Sequence, residues 1–261
     1  MTRAETLALL AAILLLATMP VYAVVARGRP RDPEVVRRPR TVLLGHWVRD
    51  WLMWAISPLE RLFLALRLSP SVFNWAGVGF GIAAGVAYAW GDLGPAGWLV
   101  LLGGAADIFD GRIARARGLV SRSGAFLDST LDRFAETFAY AGVAVWARAS
   151  TLGELASVLA LGGSLLVSYA RARGEGLGVR YQGGIMQRAE RLVLLGLASL
   201  LDPGITSSAG WPPGRLLVGV LAVIGVASLA TALHRTLAIA RALDQEEPPP
   251  GRSQPHGDPT P

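Results

Sequence analysis

Residues 105–133 read AADIFDGRIARARGLVSRSGAFLDSTLDR. They lie between two apolar runs, GPAGWLVLLGG at 94–104 and FAETFAYAGVAVWA at 134–147. Four aspartates therefore stand at the ends of two segments of membrane-spanning length. Asp107, Asp110, Gly111 and Ala114 recur at i, i+3, i+4 and i+7, one stripe of a helix. Gly124, Asp128 and Asp132 recur at i, i+4 and i+8 and make a second stripe. The short link near RGLVSRS makes the two helices antiparallel neighbours, so the stripes can face each other. A carboxylate at membrane depth costs about 2.5–3.5 kcal/mol on insertion scales, and four together repel. Such a cluster needs a positive partner. All-oxygen ligation suits a hard divalent cation, Mg²⁺ or Mn²⁺. Four carboxylates are enough for two ions, the usual clamp for displacement at phosphorus. Mg²⁺ is commonly completed by substrate phosphates, so the pattern predicts a phosphate or pyrophosphate substrate. The plainer alternative is an ion-pair network with Arg112, Arg115 and Arg133.

The remainder of the chain fits a membrane protein. Of 261 residues, 52% are apolar and 17% charged, and the mean hydropathy is +0.42. Soluble domains carry nearer a quarter charged residues. Seven spans are expected, near 6–26, 72–90, 95–115, 125–147, 152–171, 189–202 and 215–240. Cysteine is absent, which excludes disulfides and thiolate metal sites. All 25 basic residues are Arg. Seven fall in 27–50, four in 112–122, five in 171–191 and three in 235–252, whereas 91–94, 148–151 and 203–214 hold only Arg148. Alternate connections are thus basic, which puts them in the cytoplasm, the N-terminus outside and the aspartates on the cytoplasmic side. The net charge of +6 is accounted for by topology and anionic lipid, and no nucleic-acid partner is expected.

The expected organisation is an all-α polytopic protein. Residues 1–27 form an N-terminal transmembrane anchor, favoured over a cleaved signal because Arg3 is offset by Glu5 and the Arg cluster follows the apolar run. Residues 28–42 are a Pro/Arg-rich cytoplasmic linker. Residues 43–68, with Trp47, Trp51 and Trp54 at helical spacing, suit an amphipathic helix in the interface, a tilted buried helix being the alternative. Residues 69–240 hold a six-helix transmembrane core, and 241–261 form a disordered tail. Gly77, Gly81 and Gly85 recur every four residues, for packing either at a dimer or substrate groove or within one chain.

The stretch D107-I-F-D-G-R-I-A-R through G124-A-F-L-D-S-T-L-D132 resembles the signature of CDP-alcohol phosphotransferases, D-x2-D-G-x2-A-R-x8-G-x3-D-x3-D, at all eight fixed positions. The likeness extends over roughly 43–240. It implies a metal-dependent transfer of a phosphoalcohol group from a CDP-linked donor to an acceptor hydroxyl, with release of CMP. By position, Asp107, Asp110, Asp128 and Asp132 would ligate metal, and Asp132 would also be the base. Gly111, Ala114, Arg115 and Gly124 would line the CDP site. The stretch 168–191, SYARARGEGLGVRYQGGIMQRAER, is most similar to the phosphatidylinositol-phosphate synthase branch. By position it implies that Arg171, Arg173 and Arg191, with Arg235 as a fourth, bind the phosphate of the acceptor. Arginine forks suit phosphate, although positive-inside topology accounts for some of them.

The implied donor is CDP-diacylglycerol, the acceptor a phosphorylated polyol (inositol phosphate), and the cofactor two Mg²⁺ or Mn²⁺ ions. The expected setting is the inner membrane, with a homodimer as the assembly. Glycerol 3-phosphate as acceptor and a divalent-cation transporter are the alternatives. Ser129 and Arg133 stand where the glycerol phosphate enzymes more often have Pro and Lys. Glu136, four residues past Asp132, is either a support to the site or an ordinary buried contact.

Overall fold

The structure, a computed structural model, describes residues 2–27, 45–181 and 183–246. The expected linker at 28–42 and the tail beyond residue 246 lie outside the described residues. Every regular element within them is a helix: α1 Arg3–Leu16, α2 Thr18–Val25, α3 His46–Ala65, α4 Pro70–Trp90, α5 Leu93–Ala116, α6 Arg122–Ala147, α7 Thr151–Gly176, α8 Arg188–Ala209 and α9 Arg215–Glu246. Five stretches are long and apolar enough to cross a membrane: Arg3–Val25, Pro70–Trp90, Thr151–Gly176, Arg188–Ala209 and Arg215–Gln245. Two further helices outside that set, α5 and α6, have 24 and 26 residues. They are the two that carry the aspartates, and charge rather than length lowers their hydropathy.

Local chemistry sets the helix ends. Thr2 and Glu5 close a capping box on α1, with Glu5 N donating to Thr2 Oγ1 at 3.2 Å and Thr2 N to Glu5 Oε2 at 2.7 Å. Pro70 opens α4, and Gly91 ends it in the left-handed region at φ 86°. Ser121 and Ser150 cap α6 and α7 by accepting from Gly124 N and Gly153 N at 3.0 and 3.1 Å.

Four boundaries differ from the sequence expectation. The first span is broken at Ala17, because the Pro20 ring has no N–H and collides with the carbonyl one turn back. The sixth span runs to Ala209, through Pro203, rather than stopping near 202. Its extra turn is held by burial: Asp202 is fully buried and accepts from Gly214 N at 2.8 Å and Leu217 N at 3.0 Å. Finally, α9 continues over 241–246, residues assigned to the tail. The interfacial helix itself is α3, beginning at His46 and ending at Ala65 instead of filling 43–68.

In the bundle α4 packs along α5 and α6, α9 along α7, and α8 joins α5 to α9. The core combines small and branched aliphatic side chains, among them Ala84, Ala96, Val143, Ala160, Leu217 and Ile224. One buried polar pair crosses this core: Tyr88 Oη and Ser199 Oγ meet at 2.6 Å. The residue-3 end of α1 lies against the start of α5, where a Cβ on Gly94 would stand 3.1 Å from Ala8 Cβ. That end of the bundle is opposite the aspartates.

The glycine stripe of α4 packs within this chain. A Cβ on Gly81 would stand 2.6 Å from Ala135 Cα, and one on Gly85 would strike the Phe138 carbonyl. Gly142 on α6 faces Gly85 in turn, whereas Gly77 has nothing within 4 Å. Both helices therefore touch backbone to backbone, as small residues permit in membranes. Gly85→Leu is expected to prevent accumulation of monodisperse protein in detergent, while Gly77→Ala leaves yield and elution profile unchanged; fluorescence-detected size exclusion reads both.

Candidate metal and phosphate site

The end of α5 and the starts of α6 and α8 converge on the aspartates. Asp107, Asp110 and Asp128 each offer a carboxylate oxygen, and these oxygens lie within 4.8 Å of one another. Ligands on opposite sides of one Mg²⁺ ion are about 4.2 Å apart, so a small inward movement closes the set on a cation. Asp110 is buried, and its carboxyl lies within hydrogen-bonding reach of Asp128. Two oxygens of unlike helices in contact fit a site that a hard cation draws together. Asp132 lies one turn further along α6 and belongs to the same cluster through a cation.

That cation is Arg188, in the first turn of α8. Its Nη1 donates to Asp107 Oδ1 at 2.7 Å, its Nη2 to Asp132 Oδ1 at 2.7 Å and its Nε to Glu136 Oε1 at 3.1 Å. One guanidinium thus ties three carboxylates on two helices with all three of its donor nitrogens. Glu136, 2% exposed in its side chain, also holds Arg191, 1% exposed, through both oxygens at 3.2 Å. Arg133 reaches Asp132 Oδ2 at 3.6 Å and donates to Ser168. The sequence reading did not foresee this bridge by Arg188 between the stripes. The signal was present: Glu136 continues the 128, 132 spacing, and Arg188 and Arg191 are i, i+3 on one helix face.

The small residues of the signature flank this cluster. Arg115 folds back over Gly111, where a Cβ would stand 3.1 Å from its Nη1. Ala114 is half-buried on the same stripe, and Gly124 meets only the Ser121 cap at 3.0 Å. Of the arginines expected to bind a second phosphate, Arg171 and Arg191 lie close enough to Arg235 for their charges to act on it. Arg235 is anchored by Gly183 O at 2.7 Å and Val167 O at 3.0 Å. Arg171 is half-exposed and pairs with Glu175 at 2.8 Å. Arg191 Nε is buried without a partner among the described residues. Arg173 is turned elsewhere, since residues 171 and 173 are about 200° apart on a helix. It lines an apolar groove of about 630 Å³ between α7 and α9 with Tyr169, Leu233 and Ile239.

Comparison with known proteins bears on this arrangement. The family model described as CDP-alcohol phosphatidyltransferase matches residues 67–229. A phosphatidylinositol phosphate synthase of Streptomyces avermitilis is 31% identical over 227 residues, 84% of this chain and 89% of that protein. An archaetidylinositol phosphate synthase of Methanothermobacter thermautotrophicus is 40% identical over 158 residues, 59% of this chain and 80% of its own. Crystal structures of the Mycobacterium tuberculosis phosphatidylinositol phosphate synthase are similar in fold. With CDP-DAG bound, the TM-score is 0.60 at 28% identity, covering 70% of this chain and 92% of that one. With manganese and citrate, the TM-score is 0.61 at 28% identity, covering 70% and 88%.

The buried pair makes a stability prediction. Glu136→Gln leaves Arg188 and Arg191 short of a counter-charge, and breaking a buried pair typically costs about 3–5 kcal/mol. A marked fall in melting temperature is expected in detergent, measured without metal. Glu175→Gln, which removes the exposed partner of Arg171, is expected to leave it nearly unchanged.

Proposed function

The chain belongs to the CDP-alcohol phosphatidyltransferase family, and we propose that it makes a phosphoinositide-type lipid phosphate at the cytoplasmic face of the inner membrane. The reaction moves a phosphatidyl group from CDP-diacylglycerol to a hydroxyl of a phosphorylated polyol, inositol phosphate, and releases CMP. The observation that carries this reading is the meeting of Asp107, Asp110 and Asp128 with oxygens within 4.8 Å, with Asp132 one turn away. The names of the relatives, which are inositol phosphate lipid synthases from bacteria and an archaeon, support the choice of acceptor.

Asp107, Asp110 and Asp128 would hold the divalent cation, Mg²⁺ or Mn²⁺, with Asp132 contributing to a second. A cation held there would supply charge that neutralises the pyrophosphate and makes CMP a better leaving group. Gly111, Ala114 and Gly124 leave the face of the stripe low enough for the CDP group to approach the backbone, and Arg115 supplies a cation beside it. Asp132 Oδ1 is taken by Arg188, whereas Oδ2 faces only Arg133 at 3.6 Å. Oδ2 is therefore the oxygen that takes the proton of the acceptor hydroxyl. The hydroxyl oxygen attacks the phosphorus that bears the diacylglycerol. A new P–O bond forms, the P–O bond to the CMP phosphate breaks, and CMP departs with the electron pair. Arg171, Arg191 and Arg235 would hold the phosphate of the acceptor, and the partnerless Nε of Arg191 is a donor suited to it. The domain plan follows: 1–27 an anchor, 28–42 a linker, 43–240 the catalytic membrane domain, working as a homodimer, and 241–261 a tail.

Purified protein given CDP-diacylglycerol and Mn²⁺ is expected to release CMP with inositol 1-phosphate and not with free inositol, glycerol 3-phosphate or serine. Asp107→Asn, Asp110→Asn and Asp128→Asn are each expected to abolish Mn²⁺ binding together with turnover. Asp132→Asn should lower kcat about 100-fold or more while retaining the Mn²⁺ ion held by Asp107, Asp110 and Asp128. Turnover with glycerol 3-phosphate alone would reassign the acceptor; Mn²⁺ binding that survives all three substitutions would remove the proposed metal site.

A further inference from the structure

The family match begins at residue 67, so α1, α2 and α3 all lie outside it. Their contacts are nonetheless specific. At one end, Trp98 Nε1 on α5 donates to Ala8 O on α1 at 2.8 Å. Ala8 and Ala12 bury against Leu200, Trp98 and Leu101, which ties α1 to α5 and α8. At the other end, the Tyr22 ring on α2 meets the rings of Trp47 and Trp54 at centroid distances of 5.7 and 5.6 Å. Between them, Trp51 Nε1 on α3 donates to Thr18 Oγ1 at 2.9 Å. The same hydroxyl donates to Leu15 O at 2.7 Å, so the break in the first span both frees and aims Thr18. Trp51 is 5% exposed.

From α3 the contacts lead to the helix of the site. Phe63 on α3 meets Phe109 on α5 edge-on at 5.0 Å and Phe73 on α4 at 5.0 Å. Ile56 packs in the same cluster with Ala106, Phe109 and Ile113. Glu60 Oε2 accepts from Arg112 Nε at 2.8 Å. Phe109 and Arg112 flank Asp110 and Gly111 in sequence, and Ala106 precedes Asp107. The face of α5 opposite the aspartates is thus backed by α3 along the turns that present them. An amphipathic helix held only by the interface would slide and roll. Here three tryptophans that would otherwise anchor in lipid are engaged by the N-terminal span.

We propose that α1 and α2 form an internal splint, in which Thr18 and Tyr22 lock α3 through Trp47, Trp51 and Trp54 so that α3 fixes the register of Asp107 and Asp110 on α5. Thr18, Tyr22 and Trp51 are positioning residues; none touches the aspartates. The inference rests on the reading of the aspartates as a metal and nucleotide site, and its test separates the two.

The chain has no cysteine, so nitroxide labels can be placed at Leu59→Cys on α3 and Leu119→Cys just past α5, both exposed. Double electron–electron resonance on full-length protein in nanodiscs reports the spread of the distance between them. Thr18→Val and Tyr22→Ala are expected to broaden that distribution, whereas Thr18→Ser, which keeps the hydroxyl, restores it. In unlabelled protein the first two variants should weaken Mn²⁺ binding about fivefold, the worth of one hydrogen bond or ring contact. The KM for the acceptor should stay constant, because Arg171, Arg191 and Arg235 are on other helices. Distances unchanged in Thr18→Val and Tyr22→Ala would overturn the splint. So would broadened distances with unaltered Mn²⁺ affinity. If the unsubstituted protein binds no Mn²⁺, the metal reading fails, and the positioning role falls with it, while the label distances still decide whether the N-terminal span holds α3.

Discussion

Like charges gathered at membrane depth need a counter-charge, and the guanidinium of Arg188 meets that need for half of this site. It joins Asp107 on one helix to Asp132 and Glu136 on another, each within about a hydrogen bond's length. Three helices must end together for this to happen. The rest of the bundle can be understood as the means of bringing those ends into register. Arg133 and Arg191 extend the same compensation to Asp132 and Glu136. Arg188 reaches Asp107 but neither Asp110 nor Asp128, and the carboxylates of all three crowd one another. A cluster balanced on one side and unbalanced on the other has room for one kind of visitor, a hard cation carrying an anionic ligand.

Close approach of the helices follows from small residues rather than from apolar driving force, which lipid does not supply between membrane helices. Gly81 and Gly85 bring α4 onto α6. A Cβ on Gly97 would stand 2.6 Å from the Gly196 carbonyl, so α5 and α8 also meet backbone to backbone. The second of these contacts sits on the same pair of helices as Asp107 and Arg188. Packing at mid-membrane and ion pairing at the membrane face are therefore parts of one constraint. The interfacial helix adds a third support from outside the core, through Glu60 and the Phe63, Phe73 and Phe109 rings.

The sequence was informative where a rigid period acts. Stripes at i, i+3, i+4 on one helix and i, i+4, i+8 on the next, with a short link between them, predict facing surfaces for the four aspartates. The apolar runs located every helix long and apolar enough to cross a membrane among the described residues. Where tertiary contacts decide, the reading was weaker. Pro203 reads as a stop, but Asp202, accepting two backbone N–H groups from the next helix, carries α8 past it. Arg171 and Arg173 read as neighbours in a phosphate site, but helical rotation separates them and leaves Arg173 on an apolar groove. Arg191 and Arg188 look alike in sequence. Only the fold distinguishes the one buried against Glu136 from the one that bridges the aspartates. The spacing of Gly77, Gly81 and Gly85 could not say which surface they pack against.

The central claim is that Asp107, Asp110 and Asp128 draw together on a divalent cation while Arg188 retains Asp132. Anomalous scattering from crystals grown with Mn²⁺ and CDP tests it directly. The account predicts Mn²⁺ peaks within coordination distance of carboxylate oxygens from both α5 and α6, with the CDP phosphates completing the shell. Ordered Mn²⁺ bound only by residues of one helix, or CDP seated away from Gly111 and Gly124, would contradict it.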